Sequence, residues 1–166
     1  MGSRIQLTLF VDAKESSVIE LTRKKYNPLQ YQLINSHVTL CREDELQDIH
    51  EVTKVLEHLS YDSFILQFGK PVRFADGKGL LLPVIDGAEK FSSLRKLILN
   101  DGPNESKNLK PHITLMHPRN STCTNEIFEE INQTELPGYL QFQKISLIEQ
   151  EDDKAWKILR EFDLKN

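Results

Sequence analysis

Apolar and polar residues alternate from the start of the chain. Ile5, Leu7, Leu9 and Val11 are separated by Gln6, Thr8 and Phe10, which predicts a strand with one buried face. Val18, Ile19 and Leu21 amid charges predict a helix over 13–25, ended by Asn27-Pro28. Residues 30–41 then read as a second strand, or as a loop feeding one. Arg42-Glu43-Asp44-Glu45 looks like a charged helix start, with carboxylates where the helix dipole favours them. Leu46, Ile49, Val52, Val55, Leu56 and Leu59 follow at three- and four-residue spacing, the clearest amphipathic helix in the chain.

Phe64 to Phe68 and Val72 to Phe74 read as strand. Asp76-Gly77-Lys78-Gly79 turns the chain, and Leu80 to Ile85 returns as a hairpin partner. Phe91, Leu94, Leu97 and Ile98 predict a helix over 87–99. Residues 104–110 are polar and are expected to form a mobile loop. Pro111 stands at the start of a further strand, where proline is tolerated. A short helix over 124–132 and two closing strands, 139–148 and 154–162, complete the order. Mixed elements with hairpins predict an α+β fold. Its two halves each hold a strand followed by a helix, so the 166 residues read as one domain of two related lobes.

The net charge of −4 argues against a broad non-specific nucleic-acid surface and against a DNA duplex as partner. It leaves room for a small basic pocket. The two cysteines, Cys41 and Cys123, have neither metal-type spacing nor a disulfide framework around them. They suit a reducing cytoplasm. No signal peptide and no membrane-spanning run is read, so no membrane partner is expected. Gly77-Lys78-Gly79 lacks the Gly-Lys-Ser/Thr of a phosphate loop.

Candidate chemistry comes from a repeat. His37-Val38-Thr39-Leu40 and His112-Ile113-Thr114-Leu115 share one pattern, 75 positions apart. In a strand, residues two apart share a face. Each copy therefore presents an imidazole and a hydroxyl together, opposite its aliphatic pair. Imidazole ionises near ~6.5 and can give or take a proton at neutral pH. Two such pairs, brought face to face, would supply a base, an acid and two hydroxyl donors to a phosphodiester.

The doubled motif, with Lys110-Pro111 before the second copy, resembles the two-histidine (2H) phosphoesterase superfamily. That group includes LigT-type RNA ligases, 2′,3′-cyclic nucleotide phosphodiesterases and 2′-5′ oligoadenylate phosphodiesterases. The resemblance implies a bilobal α+β fold, with two antiparallel sheets facing across a central cleft and helices outside. It implies no metal and no cofactor. It implies His37 and His112 as the acid–base pair, with Thr39 and Thr114 on the phosphate oxygens. The substrate it implies is a nucleotide or RNA terminus, first of all a 2′,3′-cyclic phosphate. A 2′-5′ oligoadenylate, a cyclic oligonucleotide and RNA ligation are the enzymatic alternatives. A nucleotide-binding module without turnover is the non-enzymatic one.

Further candidates stand outside the motif. Arg42 and Arg119 lie just beyond the two copies and are placed to neutralise phosphate. Phe10, Tyr31 and Phe74 are candidates for stacking on a base. Glu149 and Gln150 end a strand and are candidates for a ribose hydroxyl. His117 would face away if its strand continued that far, so it is expected outside the site. His50 and His58 are expected to be structural or solvated.

Overall fold

The computed structural model describes residues 2–100 and 109–166. The loop expected at 104–110 lies mostly outside the described residues. Among them are nine strands, each antiparallel to its neighbours: β1 Ser3–Phe10, β2 His37–Cys41, β3 Phe64–Phe68, β4 Val72–Arg73, β5 Leu80–Asp86, β6 His112–Met116, β7 Tyr139–Phe142, β8 Lys144–Glu151 and β9 Lys157–Asp163. Five helices accompany them: α1 Ser17–Tyr26, α2 Pro28–Leu33, α3 Ile49–Glu57, α4 Ala88–Leu99 and α5 Asn125–Asn132. The fold is α+β, as the mixed pattern predicts.

The strand order is β7-β3-β5-β6-β2-β1-β8-β9, with β4 paired to β5. Strands β2 and β6 are thus paired near the middle of this order. That pair carries the two motifs. Its register matches Val38 with Ile113, the second residue of each copy. Antiparallel pairing through that point sets His37 level with Thr114, and Thr39 level with His112. Outward from the pair run β1, β8 and β9 on one side, and β5, β3 and β7 on the other. Helices α1 and α2 connect β1 to β2, and α4 connects β5 to β6.

The core follows the predicted alternation. Leu7, Leu9, Val38, Leu40, Ile113 and Leu115 point away from the motif face and are fully buried or nearly so. Ile19 of α1, Phe91, Leu94 and Ile98 of α4, and Ile131 of α5 close over them. Gly87 precedes α4 at φ +94°, and a Cβ there would sit 2.6 Å from the Ile65 carbonyl oxygen, so only glycine fits this entry.

Several boundaries differ from the pattern-based reading. The strand read over 139–148 is two, β7 paired to β3 and β8 paired to β1, and the last strand starts at Lys157. Helix α1 starts at Ser17, because Asp12 Oδ1 accepts from the Lys14 backbone N–H (2.8 Å) and turns the chain first. Asn27-Pro28 ends α1 but also starts α2, with Pro28 where a first helical turn tolerates it. Residues 28–33 are therefore helical rather than strand. Residues 43–45 form a short 3₁₀ turn, and α3 begins only at Ile49, where Asp48 caps it by accepting from His50 and Glu51 N–H groups (3.1 and 3.2 Å).

Candidate active site

A cleft of about 480 Å³ lies over the β2–β6 seam, within the range of small-molecule sites. His37, Thr39, His112 and Thr114 all line it. Each motif histidine is fixed in the same way. His37 Nδ1–H donates to the Asn35 carbonyl at 2.8 Å, and His112 Nδ1–H to the Lys110 carbonyl at 2.9 Å. A carbonyl only accepts, so Nδ1 keeps its proton and Nε2 is the nitrogen left to exchange one. An aromatic edge steadies each ring: Phe10 lies 6.0 Å from His37, and Phe74 lies 5.8 Å from His112. Gly79 makes the second contact possible, since a Cβ there would collide with the Phe74 ring.

Thr39 is oriented from behind. Gln6 Nε2 donates to Thr39 Oγ1 at 3.3 Å and to Thr8 Oγ1 at 2.8 Å. The Thr39 oxygen is thereby used as an acceptor, and its own proton is left to donate into the cleft.

Burial pulls His37 down to about 4, outweighing the Asn35 carbonyl, which favours the charged ring. The charges of Arg23, His112 and His117 act in the same direction as burial. His37 is therefore neutral at pH 7 in the free protein. The sign for stability follows. The unfolded chain takes up this proton near ~6.5 and the folded chain only near about 4. Between these values the unfolded state binds more protons, so stability falls as pH drops from 6.5 to about 4. The contribution reaches at most roughly 3 kcal/mol. Urea unfolding at pH 7 and pH 4.5 will show a smaller acid loss in His37→Gln than in the wild type.

His117 joins the cleft with the opposite tautomer. The Arg119 backbone N–H donates to its Nδ1 at 3.1 Å, so a neutral His117 carries its proton on Nε2. Burial lowers its pKa, and Arg119 adds to that. It is a donor towards the cleft rather than a base. Asn27, fully buried, accepts from the His117 backbone N–H at 2.8 Å and donates to Asn120 at 2.8 Å, which ties this turn to the α1–α2 junction.

Residues 10–154 match the family described as the 2′-5′ RNA ligase superfamily. The chain belongs to the 2′-5′ RNA ligase superfamily. No curated protein matches this superfamily member at the sequence level. Solved structures share its fold over nearly its whole length. Escherichia coli LigT complexed with 3′-AMP is 14% identical, covers 100% of both chains and has a TM-score of 0.68. A structure described as a phosphoesterase is 13% identical over 99% of both chains, with a TM-score of 0.69. The protein TT0787 of Thermus thermophilus is 15% identical over 98% of both, with a TM-score of 0.61.

In this superfamily member Arg42, Arg119 and Phe74 also line the cleft. Four other candidates do not. Phe10 stands behind His37, against its ring. Tyr31 sits on α2 under the Lys24 ammonium (6.0 Å); the helix turns its neighbour Gln30 to the cleft, and Ile34, just past the helix end, lines it too. Glu149 pairs with Lys157 at 3.5 Å. Gln150 is buried and grips Arg4 instead of meeting the cleft itself.

Several lining residues escaped the sequence reading. Arg4 and Gln6 lie on the polar face of β1, next to the first motif strand, and that alternation was a usable signal. Arg23 is buried in α1, where it pairs with Glu20 (2.5 Å) and donates to the Ile34 carbonyl (2.7 Å). His117 was expected to point away. Strand β6 stops at Met116, so the alternation no longer holds at the next residue. Trp156 stands in the turn before β9.

Proposed function

We propose that the protein hydrolyses a 2′,3′-cyclic phosphate on a small nucleotide or RNA end, with every catalytic group supplied by the chain and without a metal. The observation that carries this reading is the pair of imidazoles over one seam, each with Nδ1 committed to a carbonyl and Nε2 left for proton transfer. His37, neutral at pH 7, acts as the base. Its Nε2 takes a proton from water as the water oxygen bonds to phosphorus. The bond from phosphorus to one ribose oxygen breaks, and the protonated His112 delivers its Nε2 proton to that oxygen. The product is a ribose phosphomonoester. Thr39 and Thr114 donate to the non-bridging oxygens as negative charge grows there.

The electrostatics support an anionic substrate. The chain is acidic overall, yet Arg4, Arg23, Arg42 and Arg119 all line this one cleft. That E. coli LigT was solved with 3′-AMP supports a nucleotide as the ligand. The acidic surface fits an RNA end better than a long duplex. Both halves contribute a histidine and a threonine, so we take the chain to work as one domain of two lobes. Both cysteines are buried and suit a reducing compartment, and we place the protein in the cytoplasm.

A turnover screen in EDTA tests the reading. The panel is 2′,3′-cyclic mononucleotides, 2′-5′ oligoadenylate and cyclic dinucleotides, with the double variant His37→Ala, His112→Ala as control. Release of a phosphomonoester from the 2′,3′-cyclic compounds by wild type alone is expected. Turnover confined to another panel member moves the substrate class. Binding without turnover replaces the enzyme with a nucleotide-binding module.

A further inference from the structure

The cleft wall beyond the first motif strand holds a group that the proposed chemistry does not use. Arg4 of β1 lies over the Trp156 ring, with its guanidinium carbon 5.2 Å from the ring centroid. Both residues line the cleft. The pair is held from two sides. Gln150, only 3% exposed, accepts from the Arg4 guanidinium through Oε1 and donates from Nε2 to the Lys154 carbonyl at 2.9 Å. The Trp156 backbone N–H donates to the Leu33 carbonyl at 2.8 Å, which anchors the turn to the end of α2. A buried amide is thus committed to the arginine and to the turn that carries the indole, at the edge of an anion site.

The placement matters. Phe74 meets His112 on the β6 side of the seam, where it can face the base of the nucleoside undergoing cleavage. Arg4 and Trp156 stand on the other side, over β1, β8 and the start of β9. A cyclic mononucleotide has one base and fills one of these positions. An RNA end has a second base, joined through a phosphodiester whose charge Arg4 would meet. Indole and guanidinium planes both stack on bases irrespective of sequence.

We propose that Arg4 and Trp156 form a second nucleobase platform, so that the preferred substrate is a 2′,3′-cyclic phosphate at the end of an oligoribonucleotide rather than a free mononucleotide. The assignment rests on the phosphodiesterase reading of the same cleft.

Two measurements test it separately from that reading. The first compares kcat/KM for a diadenosine nucleotide ending in a 2′,3′-cyclic phosphate with that for adenosine 2′,3′-cyclic phosphate. The wild type is expected to favour the dinucleotide by about tenfold or more. Trp156→Ala should bring the ratio close to one, and Trp156→Phe should restore most of it. Equal wild-type values, or a ratio unmoved in Trp156→Ala, overturn the platform. The second uses the chain's single tryptophan as its own reporter. A diadenosine nucleotide with a 3′-phosphate should quench its emission, whereas 3′-AMP should leave it nearly unchanged. Unchanged emission with the bound dinucleotide overturns the platform even where turnover is seen. No turnover of either cyclic compound overturns the hydrolase reading, and the quenching then decides the stacking assignment alone.

Discussion

Alanine at His37 or at His112 is expected to lower kcat on a 2′,3′-cyclic phosphate by about 10²–10⁴-fold each, with the fold retained. The double variant should be little worse than the poorer single one, because a base and an acid that serve one transition state act as a unit. Stability should move far less. Each ring makes one side-chain hydrogen bond, to Asn35 or to Lys110, worth about 1 kcal/mol net. Thermal melts of the single variants, run beside the rate assay, separate catalysis from packing. A variant that melts early and loses activity in proportion marks the histidine as structural. A variant that folds normally and keeps more than a tenth of wild-type kcat removes that histidine from the proton transfers.

These four residues were legible because strand alternation is a short-range rule. Placing His37 and Thr39 on one face needs only the period of two. That the two strands would lie side by side is a long-range fact that alternation does not carry: the repeat pointed to pairs face to face across a cleft, whereas Val38 and Ile113 meet in register within one sheet. Core positions such as Leu7, Leu9, Phe91 and Leu94 were legible on the same local grounds.

The rest of the cleft depends on where local rules stop. Tyr31 was misplaced because Pro28 starts a helix as readily as it ends one, and the change of period turned Gln30 inward instead. His117 was misplaced because one residue past a strand end the alternation carries no information. Trp156 fell inside the closing strand read over 154–162, but β9 starts only at Lys157; its position comes from the pairing of β8 with β9 and from its tie to Leu33. Nothing singled Arg23 or Arg95 out within its helix, yet both are among the most buried side chains. Nothing local marks them, because what they satisfy are carbonyls of a distant strand and the approach to it.

Those two arginines lead to the largest expected loss of stability. Strand β2 is held at both ends. At its entry Arg23 donates to the Ile34 carbonyl, while Glu20, its ion-pair partner, accepts from the Ser36 N–H at 2.9 Å. At its exit Arg95 donates to the Leu40 carbonyl at 2.6 Å and grips both carboxylate oxygens of Glu45, at 2.9 and 2.5 Å. Arg95 belongs to α4, in the opposite half of the chain, so this clamp also ties the two halves together. Burial pushes Glu45 up, but the Arg95 hydrogen bonds, the Arg42 N–H and both arginine charges outweigh it and hold the carboxyl below its usual range. The pair therefore stabilises the fold at neutral pH and loses that contribution as acid protonates Glu45. Arg95→Met leaves a buried carboxylate without its fork and the Leu40 carbonyl without this donor. The expected cost is about 3–5 kcal/mol, since breaking a buried pair strands a charge. For a chain of this size that corresponds to a fall in Tm of roughly 6–20 °C. Adding Glu45→Gln should recover part of the loss, because the stranded group is then neutral. Urea unfolding of the wild type, both single variants and the double variant measures that coupling. A loss below about 1 kcal/mol in Arg95→Met would show that the clamp is no stronger than a surface ion pair. The same variant should also lower kcat/KM at temperatures where it is still folded, because Thr39 and Arg42 flank the carbonyl that Arg95 holds.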